Sequence, residues 1–268
     1  MIYDFKGHKI GDCVAAAYCL QGLHLLAAAD GAPRRWMGVI NRGAIDVSTY
    51  FPDIADEFCA EEPDEWREME RVPLGNLWLA APSMKLQNGI RPVMTCPLDD
   101  EAYDVALHCL TDAEYNTGRN HTRAQFDEIA RWLNWHGLRV WRVPEVGGRR
   151  SEVGGREEGM SVDEIIREVG RARCYIGGDT GFTHCFAAMH PDRPLIAIYG
   201  DDWGDVVGFE EERERMGCVS RWCSDPLSFR LYKRVMREHR FDEREVKGLL
   251  EKILKCGNTE KLNEEGRK

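Results

Sequence analysis

The stretch Tyr175, Ile176, Gly177, Gly178, Asp179, Thr180, Gly181, Phe182, Thr183, His184 carries most of what this chain discloses about itself. An apolar strand runs into two glycines, whose missing side chains let a ligand approach the backbone. A helix rich in alanine begins near Thr183, and its first amides point back at the turn. Free N–H groups and the positive end of a helix dipole suit such a place to a phosphate, and the hydroxyls of Thr180 and Thr183 can add hydrogen bonds. Glycine-rich strand-to-helix turns occur throughout α/β proteins, so the glycines alone do not discriminate.

Outward from this turn the chain alternates. Residues 105–110 are a strand-like run, followed by a polar loop at 111–122 and an amphipathic helix with Phe126, Ile129, Ala130 and Leu133 at i, i+3, i+4 and i+7. Gly137 stops that helix, and residues 138–143 make the next strand. Ser161 and Glu164 have the spacing of a capping box, with Val162, Ile165, Ile166 and Val169 as the buried stripe behind it. Short strands at 174–176 and 195–199 flank the motif. At the amino end, residues 1–5 read as strand, 6–12 as a tight loop with two glycines, and 13–29 as helix. Residues 36–40 and 77–81 are candidate strands, with the acidic stretch 53–70 between them expected to be helical and exposed.

Strands alternating with helices imply parallel pairing through right-handed crossovers, hence an α/β fold. The segment from Pro92 to Pro97 is the candidate boundary, giving domains over 1–95 and 96–225, with helices and a polar tail over 226–268. In that last part Val246, Leu249, Leu250 and Ile253 share one helical face. Val146, Gly147, Gly148, Arg149 recurs as Val153, Gly154, Gly155, Arg156, and reads as a mobile loop or as a lid closing over phosphate.

With 268 residues and 43% hydrophobic content the chain can build a proper core. Its 46 acidic residues against 36 basic ones give a net charge of -10, which disfavours general affinity for nucleic acid or anionic lipid and suits a small, specifically bound ligand. No membrane span and no leader are expected, and ten scattered cysteines fit a reducing, cytoplasmic setting. His108 with Cys109, His184 with Cys185, and Cys218 with Cys223 lack the spacing of a recognised zinc site, so no metal is expected. Trp132, Trp135 and Trp141 are expected in the core or between the domains.

Gly178 to His184 in the pattern Gly-Asp-Thr-Gly-x-x-His, then an alanine-rich helix and a proline-led strand ending in Gly200, resembles the signature of the ADP-heptose:lipopolysaccharide heptosyltransferase family, glycosyltransferase family 9. The resemblance implies a GT-B-like fold, two Rossmann-like domains facing a cleft, here with a reduced N-terminal domain and terminal helices folding back across it. It implies that Gly178, Asp179, Thr180, Gly181, Thr183 and His184 bind the donor diphosphate. Lys9, Ile10, Gly11 and Asp12 look like the family's first loop, which makes Asp12 the catalytic base; an N-cap role for a helix starting at Cys13 is compatible with that. The family's first-helix proline is missing near Ala17 and Tyr18, and its Lys and Trp-Pro pair has no clear equivalent in 111–122; Arg119, His121 or Arg123 is the candidate substitute cation toward phosphate, Arg119 first. Glu145 stands where such folds bind the nucleoside.

The resemblance thus implies an inverting, metal-independent glycosyltransferase that takes a nucleotide-diphosphate sugar as substrate, uses no cofactor, and serves an acceptor hydroxyl the sequence does not identify. Two other readings stay open: a nucleotide or nucleotide-sugar binding protein without transfer, and a glycosyltransferase acting on hydroxylated bases of viral DNA.

Overall fold

The computed structural model describes residues 1–33, 35–73, 93–96, 98, 100–108, 123–144, 159–178, 180–190, 193–198, 244, 246–248 and 250–251. Among these, β1 (Ile2–Asp4), β2 (Gly38–Ile40) and β3 (Glu57–Cys59) form one sheet in that order, every pairing parallel. A second sheet takes β4 (Tyr103–His108), β5 (Val140–Arg142), β6 (Ala172–Gly178) and β7 (Leu195–Ile198) in the order β5-β4-β6-β7, again all parallel. The α/β class expected from the alternation is therefore the class observed.

The second sheet is covered on both faces, as a parallel sheet must be. Val105, Leu107, Cys174, Ile176 and Ile196 face α3 (Arg123–Trp135), which buries Phe126, Ile129, Ala130 and Leu133 against them. Ala106, Tyr175 and Leu195, on the opposite pleat, face α4 (Val162–Gly170) and α5 (Gly181–Met189). The capping box before α4 is complete: Ser161 Oγ accepts from the Glu164 amide at 3.2 Å, and Glu164 Oε2 accepts from the Ser161 amide at 2.7 Å. Near the end of the chain, Val246 and Leu250 pack into the α3 side, with Lys247 Nζ 3.3 Å from Glu128 Oε1. These residues cover the second sheet rather than folding back across the first.

In the first unit Tyr3 and Val39 face α1 (Ile10–Ala29), while Ile2 and Ile40 face Trp66 on the other side. The helix α1 is long and apolar enough, by length and composition, to cross a membrane, which corrects the expectation that no such run exists. Here it is a core helix. Cys13, Val14, Ala16, Ala17, Tyr18, Cys19 and Leu20 are buried in a cluster that also holds Phe182, Cys185, Phe186 and Met189 of α5. One apolar core therefore joins the inner layers of both units. The segment between them is pinned to both, since the Met94 amide donates to Ala188 O at 2.9 Å and the Thr95 amide to Tyr50 O at 2.8 Å.

Several local expectations are corrected. The helix α1 starts at Ile10 rather than Cys13, and α5 starts at Gly181 rather than near Thr183. The acidic stretch 53–70 is not one helix: it holds the end of a short 3-10 turn (Pro52–Ile54), the strand β3 and a second 3-10 turn (Asp64–Trp66). Prolines at 52 and 63 break helical continuity there. Trp135 is 87% exposed rather than in a core, while Trp141 stacks on Tyr103 with centroids 5.6 Å apart. The candidate strand 77–81 and almost all of the 146–159 loop lie outside the described residues.

Candidate functional site

In the second sheet the chain goes from β4 outward to β5 and then crosses to β6 on the other side of β4. Strand order reverses between β4 and β6, and in open parallel sheets ligands bind outside the carboxyl ends of the strands at that reversal. The register puts His108, the last residue of β4, opposite Gly177 of β6, so the glycine turn sits at this reversal. The paired charges Asp104, Arg139 and Arg173 belong to the opposite, amino edge of the sheet, with Arg139 Nε 3.3 Å and Arg173 Nη1 3.6 Å from Asp104.

A buried polar cluster lies under the turn. His108 Nδ1 is 3.0 Å from Thr180 Oγ1 and 3.3 Å from Tyr175 OH. Thr183 Oγ1 donates to Gly178 O at 2.6 Å and lies 3.4 Å from Thr180 Oγ1. His108 packs edge-on against Phe182, centroids 5.4 Å apart, and burial holds its imidazole down to about 4, so it is neutral near pH 7. Gly177 makes room for this cluster rather than for a ligand: a methyl group there would stand 2.8 Å from Tyr175 OH.

These contacts change the expected roles of both threonines. The Thr183 hydroxyl is turned inward, and its amide donates to Thr180 O at 3.1 Å, so neither group of Thr183 faces an anion. The Thr180 hydroxyl is likewise held toward His108. The His184 amide, at 3.4 Å from Thr180 O, is already part of the helix. Among the described residues, the amides of Gly181 and Phe182 have no acceptor, and they are the donors that remain at the start of α5.

The start of α1 meets the start of α5. A methyl group on Gly181 would stand 2.5 Å from Ile10 Cβ and 3.0 Å from the Gly11 nitrogen; one on Gly11 would stand 3.1 Å from His184 Cδ2. Two glycines thus let the first turns touch, with the His184 ring lying over Gly11. The positive ends of two helix dipoles converge there. Asp12 sits in the first turn of α1, where its Oδ2 accepts from the Lys9 amide at 3.4 Å. It therefore caps from inside the helix, in place of the expected N-cap position before Cys13. Because α1 follows β1 and α5 follows β6, the carboxyl ends of both sheets serve this junction.

Of the residues singled out in the sequence, the fold brings together Asp12, Gly178, Thr180, Gly181, Thr183 and His184. Asp179, Arg119 and Glu145 lie outside the described residues. His108 and Tyr175 are the functional candidates that sequence reasoning did not assign. A histidine closing an apolar strand beside a glycine turn was the available signal for the first. Among the described residues no group of three or more His, Cys, Asp or Glu side chains is placed to hold a metal ion.

No protein-family model and no curated protein matches the chain. Among solved structures, the iron-containing dodecameric glycosyltransferase TibC from enterotoxigenic E. coli aligns over 95% of this chain and 76% of its own, at 12% identity and a TM-score of 0.56. TibC described as a dodecameric iron-containing heptosyltransferase in complex with ADP-D-β-D-heptose aligns over 95% and 77%, at 12% identity and a TM-score of 0.54. The E. coli heptosyltransferase WaaC with ADP-2-deoxy-2-fluoro heptose aligns over 74% of this chain and 88% of its own, at 14% identity and a TM-score of 0.45. At such identities the likeness is one of fold: this chain is built like a heptosyltransferase.

Proposed function

We propose that the chain is an inverting glycosyltransferase that moves a sugar from a nucleoside-diphosphate donor to an acceptor hydroxyl. The observation that carries this reading is the meeting of Gly11 and Gly181, which brings the first turn of α1, the turn that holds Asp12, against the first turn of α5. In this reading residues 1–95 hold the acceptor and residues 96–225 the donor. The donor diphosphate lies on the amides of Gly181 and Phe182, with His184 alongside; Arg119 and Glu145 keep their expected roles toward phosphate and nucleoside.

Asp12 takes the proton from the acceptor hydroxyl as that oxygen attacks the anomeric carbon. The bond from that carbon to the diphosphate breaks on the opposite face, which inverts the configuration. Negative charge grows on the departing diphosphate, where preorganised amides and two converging helix dipoles stabilise it without a metal ion. That TibC binds ADP-heptose makes ADP-sugars the first donors to try.

The test is a thermal-shift screen with ADP, UDP, GDP and their sugars, followed by a transfer assay read by mass spectrometry. A ligand at 100 times its dissociation constant stabilises the fold by about 2.7 kcal/mol, well above detection. Stabilisation by a nucleoside diphosphate and transfer that disappears in Asp12→Ala is the expected result. No response to any nucleotide, or full transfer by Asp12→Ala, removes the reading.

A further inference from the structure

We propose that His108 is a positioning residue for the diphosphate site: it holds the Thr180 hydroxyl away from the helix that Thr180 begins, and so keeps the first amides of α5 open to an anionic ligand. The inference rests on the donor-site reading above and names a residue that reading does not require.

Thr180 has the extended backbone of an N-cap residue, with φ -131° and ψ 161°. From that conformation a threonine hydroxyl ordinarily accepts a hydrogen bond from the second or third amide of its own helix. Thr180 makes no such bond. Its Oγ1 lies instead 3.0 Å from His108 Nδ1, 3.4 Å from Thr183 Oγ1 and 3.5 Å from Tyr175 OH. A residue that could close the helix end has been turned beneath it.

His108 can exert this pull because of where β4 ends. The strand register fixes it opposite Gly177, Phe182 covers one side of its ring, and Tyr175 OH braces the same nitrogen at 3.3 Å. Burial keeps the imidazole neutral, so Nδ1 remains a partner for a hydroxyl and adds no charge of its own to the site. The other hydroxyl of the turn, that of Thr183, is committed to Gly178 O at 2.6 Å. Both hydroxyls are thus engaged below the turn, and the amides of Gly181 and Phe182 have no acceptor among the described residues. Losing a cap weakens a helix end, and an anionic ligand compensates that loss when it binds.

The experiment is calorimetric titration of the full chain with inorganic pyrophosphate and with ADP. In His108→Leu, Thr180 is released to cap its own helix, and pyrophosphate binding is expected to weaken about tenfold, the equivalent of one cap. In Thr180→Val no hydroxyl is left to swing, so His108→Leu added to Thr180→Val should bind within roughly twofold of Thr180→Val alone. Equal weakening in both backgrounds, or none in His108→Leu, overturns the proposal.

Should His108→Leu fail to fold, as judged by circular dichroism, a second pair decides. His108→Asn keeps a hydrogen-bonding atom where Nδ1 stands and should stay within about threefold of the unaltered protein, whereas His108→Gln carries that atom one bond farther and should weaken about tenfold. Equal affinity in the two overturns the proposal. An unaltered protein that binds neither pyrophosphate nor ADP removes the donor-site reading and this inference with it; one that binds while the variants behave alike removes only the inference.

Discussion

Gly181 lies so close to Gly11 that a methyl group on it would stand 3.0 Å from the Gly11 nitrogen and 2.5 Å from Ile10 Cβ. The neighbours are backbone and a β-carbon in the first turn of α1, which cannot swing aside as the end of a long side chain could. Gly181→Ala must therefore push the two helix starts apart or strain the backbone, at a cost of about 1–3 kcal/mol. The same displacement moves the first turn of α1, with Asp12, away from the first turn of α5, so in the proposed mechanism transfer should fall more steeply than stability. Gly248 makes the control: among the described residues nothing lies within 4 Å of a methyl group there and the residue is helical, so Gly248→Ala should gain up to about 1 kcal/mol. Urea denaturation of both variants checks the pair, and a Gly181→Ala protein as stable and active as the original would mean the helix starts are not in firm contact.

The bond that Asp12 makes as a cap is separable from the role of base proposed for it. As a cap it accepts one long bond, 3.4 Å from the Lys9 amide, so Asp12→Asn, which still offers an oxygen there, should shift stability by roughly 0.5 kcal/mol or less. In the proposed mechanism the carboxylate is the base, which an amide cannot replace, and turnover should drop by about 10²- to 10⁴-fold. Donor binding, measured by calorimetry, should hold. Parallel losses of donor affinity and turnover would instead assign Asp12 to binding.

The parts of this arrangement that were legible in the sequence are those written locally. The stripe Phe126, Ile129, Ala130, Leu133 and the Ser161–Glu164 box each need only neighbours within two turns, and both stand as expected. The start of α1 was misplaced because Gly11 reads as loop; only contact with Gly181, far along the chain, shows why a glycine belongs inside that helix. The acidic stretch misled for the converse reason, since charge suggested an exposed helix while Pro52 and Pro63 had already divided it. His108 was invisible as a site residue because its partners Thr180 and Tyr175 are 72 and 67 positions away, and parallel pairing of β4 with β6 is what unites them.

Tyr50 ties the first unit to the second. Its hydroxyl donates to Asp163 Oδ1 at 2.7 Å, in the first turn of α4, and its own backbone carbonyl receives the Thr95 amide. Burial together with the Asp163 carboxylate holds the phenol protonated at any working pH. A hydrogen bond to a charged acceptor contributes about 1.5–3 kcal/mol, so Tyr50→Phe should lower stability by an amount in that range while leaving the ring's packing intact. If the units unfold separately, the loss should appear as an earlier first transition; an unchanged curve would mean the bond is not formed in solution.

Acid should weaken the fold through the histidine at the end of β4. Burial lowers the His108 imidazole from its ordinary 6.5 to about 4 in the folded chain. Above pH 6.5 both folded and unfolded chains leave it neutral, and it contributes nothing. Between 6.5 and 4 the unfolded chain takes up a proton that the folded chain refuses, so stability falls with decreasing pH, by up to about 1.4 kcal/mol per unit from this group. Below about 4 the slope from His108 ends. His190 adds a decline in the same direction, because burial and then Arg193 lower it as well. His108→Asn removes the first contribution and keeps the contact to Thr180, so its stability measured at pH 7, 6 and 5 should decline less steeply than that of the unaltered protein. Identical slopes would place the His108 ring in contact with water, and an imidazole open to water could not hold the Thr180 hydroxyl in place.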